Sequence, residues 1–155
     1  MPAGTLFSRV LCVPYLVALA LIVWLPGEQA GQVTGIVATF AEWVATTGVP
    51  FTTAYTVLEF VANIALFVPF GLLLAWGWPR FRPWQIIALG AASSITIELV
   101  QIFLPSRFST LSDVIANTLG AAGGWLVVAI VARALRQRST ERMPRQGQAL
   151  RDTVA

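Results

Sequence analysis

Eight polar side chains stand inside or beside long apolar stretches of this sequence, and their types could support chemistry. They are Glu59, Asn63, Ser94, Glu98, Gln101, Arg107, Asp113 and Asn117. The three carboxylates could act as a general base or ligate a hard cation such as Mg²⁺. The guanidinium could meet a phosphate or a carboxylate, and the amides could hydrogen-bond hydroxyls. The set predicts a polar binding site in an apolar protein.

Residue types that the sequence lacks exclude several kinds of catalytic and metal site. The sequence has no histidine and no lysine, and Cys12 is its single cysteine. Ser-His, Cys-His and Ser-Lys nucleophile pairs are therefore excluded, as is a zinc site of cysteine and histidine ligands. The only aspartates are Asp113 and Asp152, which argues against an intramembrane aspartate pair. These absences favour a binding protein over an enzyme, with Glu98 as the candidate catalytic residue if there is catalysis.

The elements that must position these residues are membrane helices. Of the 155 residues, 57% are hydrophobic and 11% are charged, whereas about a quarter of a soluble domain is charged. A transmembrane helix needs about 20 apolar residues. Segments of this kind occupy residues 6–25, 57–78, 84–104 and 114–132.

A shorter helix is predicted between the first two membrane segments. Apolar residues recur there at helical spacing, namely Val33, Ile36, Val37, Phe40 and Val44. They predict an amphipathic helix over residues 33–45 that lies either on the outer membrane surface or over the bundle. The predicted fold class is therefore all-α, a polytopic membrane helix bundle with four transmembrane helices plus an amphipathic extracytoplasmic helix. Residues 1–132 form its transmembrane domain, and residues 133–155 a basic cytoplasmic tail expected to be disordered.

The first segment has an alternative interpretation as a signal peptide, with Arg9 in its basic start. The most suitable cleavage position follows Ala30, and Glu28 stands where such a site needs a small residue. We therefore expect the segment to be retained as a helix.

Arginine placement orients the predicted bundle. If the segments alternate in direction, nine of the ten arginines fall on one side of the membrane and only Arg107 falls on the other. Positive residues favour the cytoplasmic side, so both termini are predicted to be cytoplasmic. The basic charge then reflects orientation, and we expect no nucleic-acid partner.

The same topology brings the polar residues to one depth. Glu59 and Asn63 are four apart at the outer start of the second membrane helix, and Asp113 and Asn117 are four apart at the outer start of the fourth. Residues four apart share a helix face. Glu98 lies near the outer end of the third helix. Charged groups in a bilayer are costly and commonly mark functional sites, so this convergence predicts a site in the outer half of the membrane.

Several of these residues also have structural explanations. Ser112 or Asp113 could cap the fourth helix at its positive dipole end. Glu59 could be solvated at the interface, Arg107 could only pair with a nearby carboxylate, and the amides could join helices. Glu98, the deepest ionisable group, is the hardest to explain this way.

Two features predict how the helices pack. Ala116, Gly120 and Gly124 form a small-residue stripe that lets another helix approach closely. We expect that partner to lie within the same chain, so the protein should be a monomer or a weak homo-oligomer. Pro69 should kink the second membrane helix and free a carbonyl one turn earlier.

Three sequence blocks together resemble a known family. Asn63–Leu73 reads Asn-Ile-Ala-Leu-Phe-Val-Pro-Phe-Gly-Leu-Leu and resembles the N-x-x-L-F-x-P-x-G stretch of VanZ-like membrane proteins. Glu98–Gln101 resembles their E-x-x-Q motif. Arg107 followed by Asp113–Gly120 resembles their R-x-x-D-x-x-x-N-x-x-G element. The blocks occur in the family's order over about residues 59–124.

The resemblance implies a protein of the bacterial cytoplasmic membrane that acts at the cell surface. The family is named for a protein linked to resistance to the lipoglycopeptide teicoplanin. We expect the eight polar side chains to bind, or help to modify, a membrane lipid or lipid-linked glycan.

Two alternatives remain. One is a membrane-embedded hydrolase or transferase, with Glu98 as general base and with Glu59, Glu98 and Asp113 as candidate ligands of a divalent cation. The other is a small transporter or channel subunit. The nearly apolar inner halves of the helices argue against the second alternative.

Overall fold

The computed structural model of this chain describes the backbone of residues 3–24, 27–103 and 110–154. Side chains are described there except at residues 3, 24, 27–34 and 139–154. Five helices occupy these ranges: α1 (Ala3–Trp24), α2 (Gly27–Ala45), α3 (Phe51–Gly77), α4 (Pro83–Gln101) and α5 (Leu111–Val154). The described part contains no strand, and the predicted all-α fold class is confirmed.

Within the described residues, four helices are long and apolar enough to cross a membrane. The spans are Gly4–Val23, Phe51–Gly77, Pro83–Gln101 and Leu111–Arg138. Their outer surfaces carry large apolar side chains, such as Leu21 of α1 and Ile130 of α5, which are 59% and 58% exposed. Helices with such surfaces are stable in lipid, where their backbone polar groups are satisfied internally. The prediction of a polytopic membrane protein is confirmed.

The remaining helix, α2, contains the predicted stretch 33–45 but begins earlier, at Gly27. It packs against α3. A turn then reverses the chain, and Gly48 adopts a φ of 96°, a left-handed conformation that glycine reaches without steric cost. Pro50 precedes the first residue of α3.

The bounds of α1 and α4 differ from the predicted ones by up to three residues, and α3 and α5 extend further beyond theirs. α3 begins at Phe51 rather than at residue 57, and the Thr56 hydroxyl donates to Thr52 O at 3.0 Å. Because this hydroxyl is bonded within the helix, the polar residues before position 57 can be part of α3. α5 continues through residues 133–154, where the sequence pattern predicts a disordered tail. Alanine, arginine, leucine and glutamine are frequent there, and they are strong helix formers.

α3 is the central helix and contacts the other four. Its closest approach is to α5, because a Cβ atom at Gly120 would collide with the carbonyl oxygen of Ile64. A Cβ atom at Gly124 would collide with the carbonyl oxygen of Val68, and Gly71 of α3 lies equally close to the α5 backbone. The small-residue stripe therefore packs within one chain, as predicted.

All four membrane helices contribute to the buried core, which consists of Leu19, Phe67, Phe70, Ile97 and Ala121. Close packing of this kind makes each volume change costly. The core lies between the two ends of the bundle and holds α3 and α4 against α1 and α5.

Pro69 lies inside α3, where its ring disturbs the helical hydrogen bonds of the preceding turn. The Tyr15 hydroxyl of α1 donates to Leu66 O at 2.7 Å. Its acceptor is next to Ala65, whose carbonyl is the one that Pro69 leaves without a helical donor. The bond also ties α1 to α3.

The start of α1 is joined to the end of α3. Arg9 Nε donates to Gly77 O at 2.8 Å, and its guanidinium lies 5.2 Å from the Trp78 ring centroid. The helices therefore alternate in direction. We call this end of the bundle, which also carries Arg80 and Arg82, the arginine end. The opposite end, where α1 and α4 end and α3 and α5 begin, is the polar end.

Candidate functional site

The candidate site lies at the polar end, where α3 and α5 begin side by side. Asn63 Nδ2 of α3 donates to Asp113 Oδ1 of α5 at 2.7 Å. Both side chains are half-buried. A bond to a carboxylate is stronger than one between neutral groups, so this contact fixes the register of the two helices at the mouth of the cluster.

One turn deeper, α5 meets α4 through a second polar pair. Asn117 Nδ2 donates to Ser94 Oγ at 2.8 Å. Ser94 is fully buried and Asn117 is 5% exposed. Small side chains at this level let α4 and α5 come close enough for an amide to bridge them.

The Asn117 amide has one polar edge without a protein partner. Among the described residues, no donor reaches its buried Oδ1 atom. Rotating the amide would pair Oδ1 with the Ser94 hydroxyl but would leave Nδ2 without an acceptor in its place. A buried polar atom without a partner costs about 1–3 kcal/mol. Within the described residues, the cluster therefore leaves one hydrogen-bonding position unfilled.

Glu98 holds the loop before α5. Its side chain is 7% exposed, and Oε2 accepts a hydrogen bond from the Thr110 backbone N–H at 3.0 Å. A buried carboxylate is tolerated only when such bonds compensate for its lost hydration. Glu98 thus lies one turn closer to the polar end than Ser94 and brings a second carboxyl group to the cluster.

α5 is capped by Thr110, not by Ser112 or Asp113. Thr110 Oγ1 accepts a hydrogen bond from the Asp113 backbone N–H at 3.2 Å, which is the contact of an N-cap residue. The sequence reasoning missed Thr110, although Thr-x-x-Asp ahead of an apolar run resembles a capping box. Asp113 is consequently free to point its carboxylate at Asn63.

Gln101 serves a structural contact. Its Nε2 atom donates to Val23 O in the last turn of α1 at 3.1 Å. Carbonyls in the last turn of a helix lack intrahelical donors, so this bond closes the end of α1. Gln101 is buried at the polar end but points toward α1.

Glu59 and Arg107 complete the set of predicted site residues. Glu59 is exposed on α3, one turn before Asn63. Arg107 lies outside the described residues. Among the residues that the structure describes, no group of three His, Cys, Asp or Glu side chains is arranged to hold a metal ion. Glu59, Glu98 and Asp113 therefore do not form one ligand set there.

One apolar groove on the described part of the bundle lies away from these residues. A cavity of about 470 Å³ opens between α1 and α3, lined by apolar side chains that include Leu11, Pro14, Val68 and Pro69. None of the polar cluster residues lines it. A groove of this kind in a membrane span fits an acyl chain, and no charged side chain lines it.

We call the five side chains that meet at the polar end the polar cluster. They are Asn63, Ser94, Glu98, Asp113 and Asn117. The cluster offers carboxylate and amide oxygens within about two helical turns of each other in a largely apolar surrounding. Hydrogen bonds there are stronger than in water, and such a site suits a ligand with hydroxyl or N–H groups.

Comparison with known proteins places this arrangement in a family. A sequence profile described as VanZ/LLP1 matches residues 12–132, a range that contains the whole polar cluster. Over 94 residues the chain is 28% identical to Protein VanZ of Enterococcus faecium. That match covers 61% of this chain and 58% of the relative, so it spans little more than half of the relative's length. No solved structure matches the chain.

Proposed function

This chain belongs to the VanZ/LLP1 family of membrane proteins, and from that premise we propose that it binds the polar headgroup of a membrane lipid or lipid-linked glycan in the polar cluster. The ligand's hydrocarbon part would stay in the bilayer. Its headgroup would reach the site laterally or from the membrane surface. The relative named Protein VanZ supports a role at the cell surface, in keeping with an association with glycopeptide resistance.

The observation that carries this proposal is the open edge of the Asn117 amide. It calls for a hydrogen-bonding group in either orientation of the amide. A hydroxyl both donates and accepts, so it satisfies Asn117 in both cases. Glycerol and sugar headgroups supply hydroxyls at the depth of the lipid interface. We therefore favour a hydroxyl-bearing headgroup.

Electrostatics support the same ligand class. Glu98 and Asp113 add two carboxylates to the polar cluster, and carboxylates accept hydrogen bonds strongly. A ligand hydroxyl that meets one of them would gain a charge-assisted bond. The arginine distribution supports an outward-facing polar end, because positive residues favour the cytoplasmic side. The ligand would then come from the outer leaflet.

The test compares two variants that damage the cluster with one that does not. Asn117→Leu removes the amide at similar size, and Glu98→Gln removes the charge. Thr118→Val is the matched control, because the Thr118 hydroxyl donates only within α5, to Val114 O at 2.6 Å. Each full-length protein is purified in nanodiscs made from host lipid, and retained lipids are identified by native mass spectrometry.

We expect wild type and Thr118→Val to retain a hydroxyl-bearing lipid, and Asn117→Leu and Glu98→Gln to lose it. Teicoplanin susceptibility of a host that expresses each variant should change in parallel. Asn117→Leu leaves the buried Ser94 hydroxyl without its amide partner but also removes an unpaired buried oxygen, so its unfolding free energy should stay within about 1–2 kcal/mol of wild type. A destabilised Asn117→Leu protein with an unchanged lipid complement would contradict the proposal and make Asn117 a structural link.

A further inference from the structure

The described part of α2 divides into distinct faces. Ala41 is fully buried, and α3 is the helix against which α2 packs. Ile36, Phe40 and Trp43 are 61%, 56% and 66% exposed. Because they are spaced four and three residues apart, they form one stripe along the helix. We call these three residues the α2 stripe.

A third face of α2 is polar. Glu42 is exposed, and it lies about 200° around the helix from Phe40, since each residue turns about 100°. Between them in angle is Thr39, whose hydroxyl donates to Gly35 O at 2.9 Å and so needs no other partner. One face of α2 therefore meets the bundle, one is apolar and exposed, and one carries a charge.

The end of α2 is adapted to an apolar surrounding. The last carbonyls of a helix lack intrahelical donors and normally turn to water. Here Trp43 O accepts from the Thr46 hydroxyl at 2.6 Å. Val44 O accepts from the Thr47 hydroxyl at 2.7 Å. Backbone N–H groups of Thr46, Thr47 and Gly48 add further bonds to the same turn. Three of the last four carbonyls of α2, those of Trp43, Val44 and Ala45, thus have donors within the chain, which suits a helix end in an apolar surrounding.

Chain connectivity places α2 at a membrane face. α1 crosses the membrane toward the polar end and α3 starts back from it, and α2 lies between them. At this end α3 also exposes apolar side chains, with Phe51 and Val57 at 43% and 56%. The α2 stripe continues a surface that belongs to lipid, and an exposed aromatic residue such as Trp43 is typical of the membrane interface.

We propose that the α2 stripe inserts into the headgroup–acyl boundary of the leaflet at the polar end, with Glu42 facing water. The partner is the phospholipid bilayer itself. An amphipathic helix of this kind lies in the plane of the interface. It holds the polar cluster at headgroup depth, and it does so whether or not the cluster binds a lipid headgroup.

Site-directed fluorescence tests this placement. In a Cys12→Ser background, single cysteines replace Phe40, in the stripe, or Glu42, on the charged face. Both positions are exposed, so neither substitution touches the core. Leu16→Cys, on the exposed surface of α1, is the lipid-facing reference. Each protein is labelled with the dye NBD and reconstituted in phosphatidylcholine–phosphatidylglycerol vesicles. Doxyl-labelled phosphatidylcholine serves as the lipid quencher and iodide as the aqueous quencher.

We expect the dye at position 40 to emit at a shorter wavelength than the dye at position 42. Doxyl lipid should quench the dye at position 40 several-fold more than the dye at position 42, and about as strongly as the dye at position 16. Iodide should quench the dye at position 42 more than the dye at position 40. Equal iodide quenching at positions 40 and 42 would overturn the proposal, because the stripe would then face water. Shielding of position 40 from both quenchers would overturn it too, because a protein surface, such as a second copy, would then cover the stripe.

Discussion

The close crossing of α3 and α5 predicts that alanine will have different effects on stability at two glycines of α5, Gly120 and Gly123. A methyl group at Gly120 would collide with Ile64 O and lie 2.8 Å from Phe67 Cβ. A methyl group at Gly123 would meet only Val68 Cγ2, at 3.9 Å, which is ordinary contact. The neighbour at Gly120 is backbone, which cannot rotate away, so the helices must separate.

The magnitude follows from two opposing contributions. Replacing glycine by alanine within a helix stabilises it by about 1 kcal/mol, and both variants share this gain. Overpacking a well-packed core costs about 1–3 kcal/mol, and only Gly120→Ala incurs that cost. We therefore expect Gly123→Ala to be neutral or stabilising, and Gly120→Ala to be less stable than Gly123→Ala by about 1–3 kcal/mol.

The assay is equilibrium unfolding of purified full-length protein in mixed micelles, with wild type and both variants measured under one condition. Gly124→Ala is a replicate of the clash, since a methyl group there would lie 2.5 Å from Leu72 N and even closer to Val68 O. Equal stability of Gly120→Ala and Gly123→Ala would refute the reasoning, because the two helices could then not be in backbone contact at Gly120.

Three further predictions address other contacts. Tyr15→Phe removes the side-chain donor to Leu66 O, so its unfolding free energy should fall by about 1 kcal/mol, and an unchanged value would show that the helical bonds of α3 already satisfy this carbonyl. Thr110→Ala removes the cap of α5 and should cost about 1 kcal/mol in the same assay, whereas Ser112→Ala should be nearly silent. Reporter fusions in the loop 79–83 and at the C-terminus should read cytoplasmic, and an external C-terminus would place the polar cluster on the cytoplasmic side.

Much of the fold follows from sequence pattern alone. Four apolar stretches of membrane-spanning length, together with a low charge content, require a helical membrane protein, because only helices and closed barrels satisfy their backbone in lipid. The small-residue stripe at Gly120 and Gly124 also predicted a close helix crossing within the chain. The predicted helix ends were less accurate, as at the start of α3. Threonine hydroxyls there can bond to carbonyls of their own helix, so a polar segment can still be helical.

For the site, spacing along each helix and alternating topology predicted which residues share a level. Pairing across helices depended on tertiary structure. The sequence could not show that Asn63 meets Asp113 while Asn117 meets Ser94, because rotation of a helix about its own axis is set by packing against its neighbours. It could not show that Gln101 turns toward α1. The open edge of the Asn117 amide arises only from how α4 and α5 enclose it, since satisfaction of a buried polar atom depends on all the surfaces that surround it.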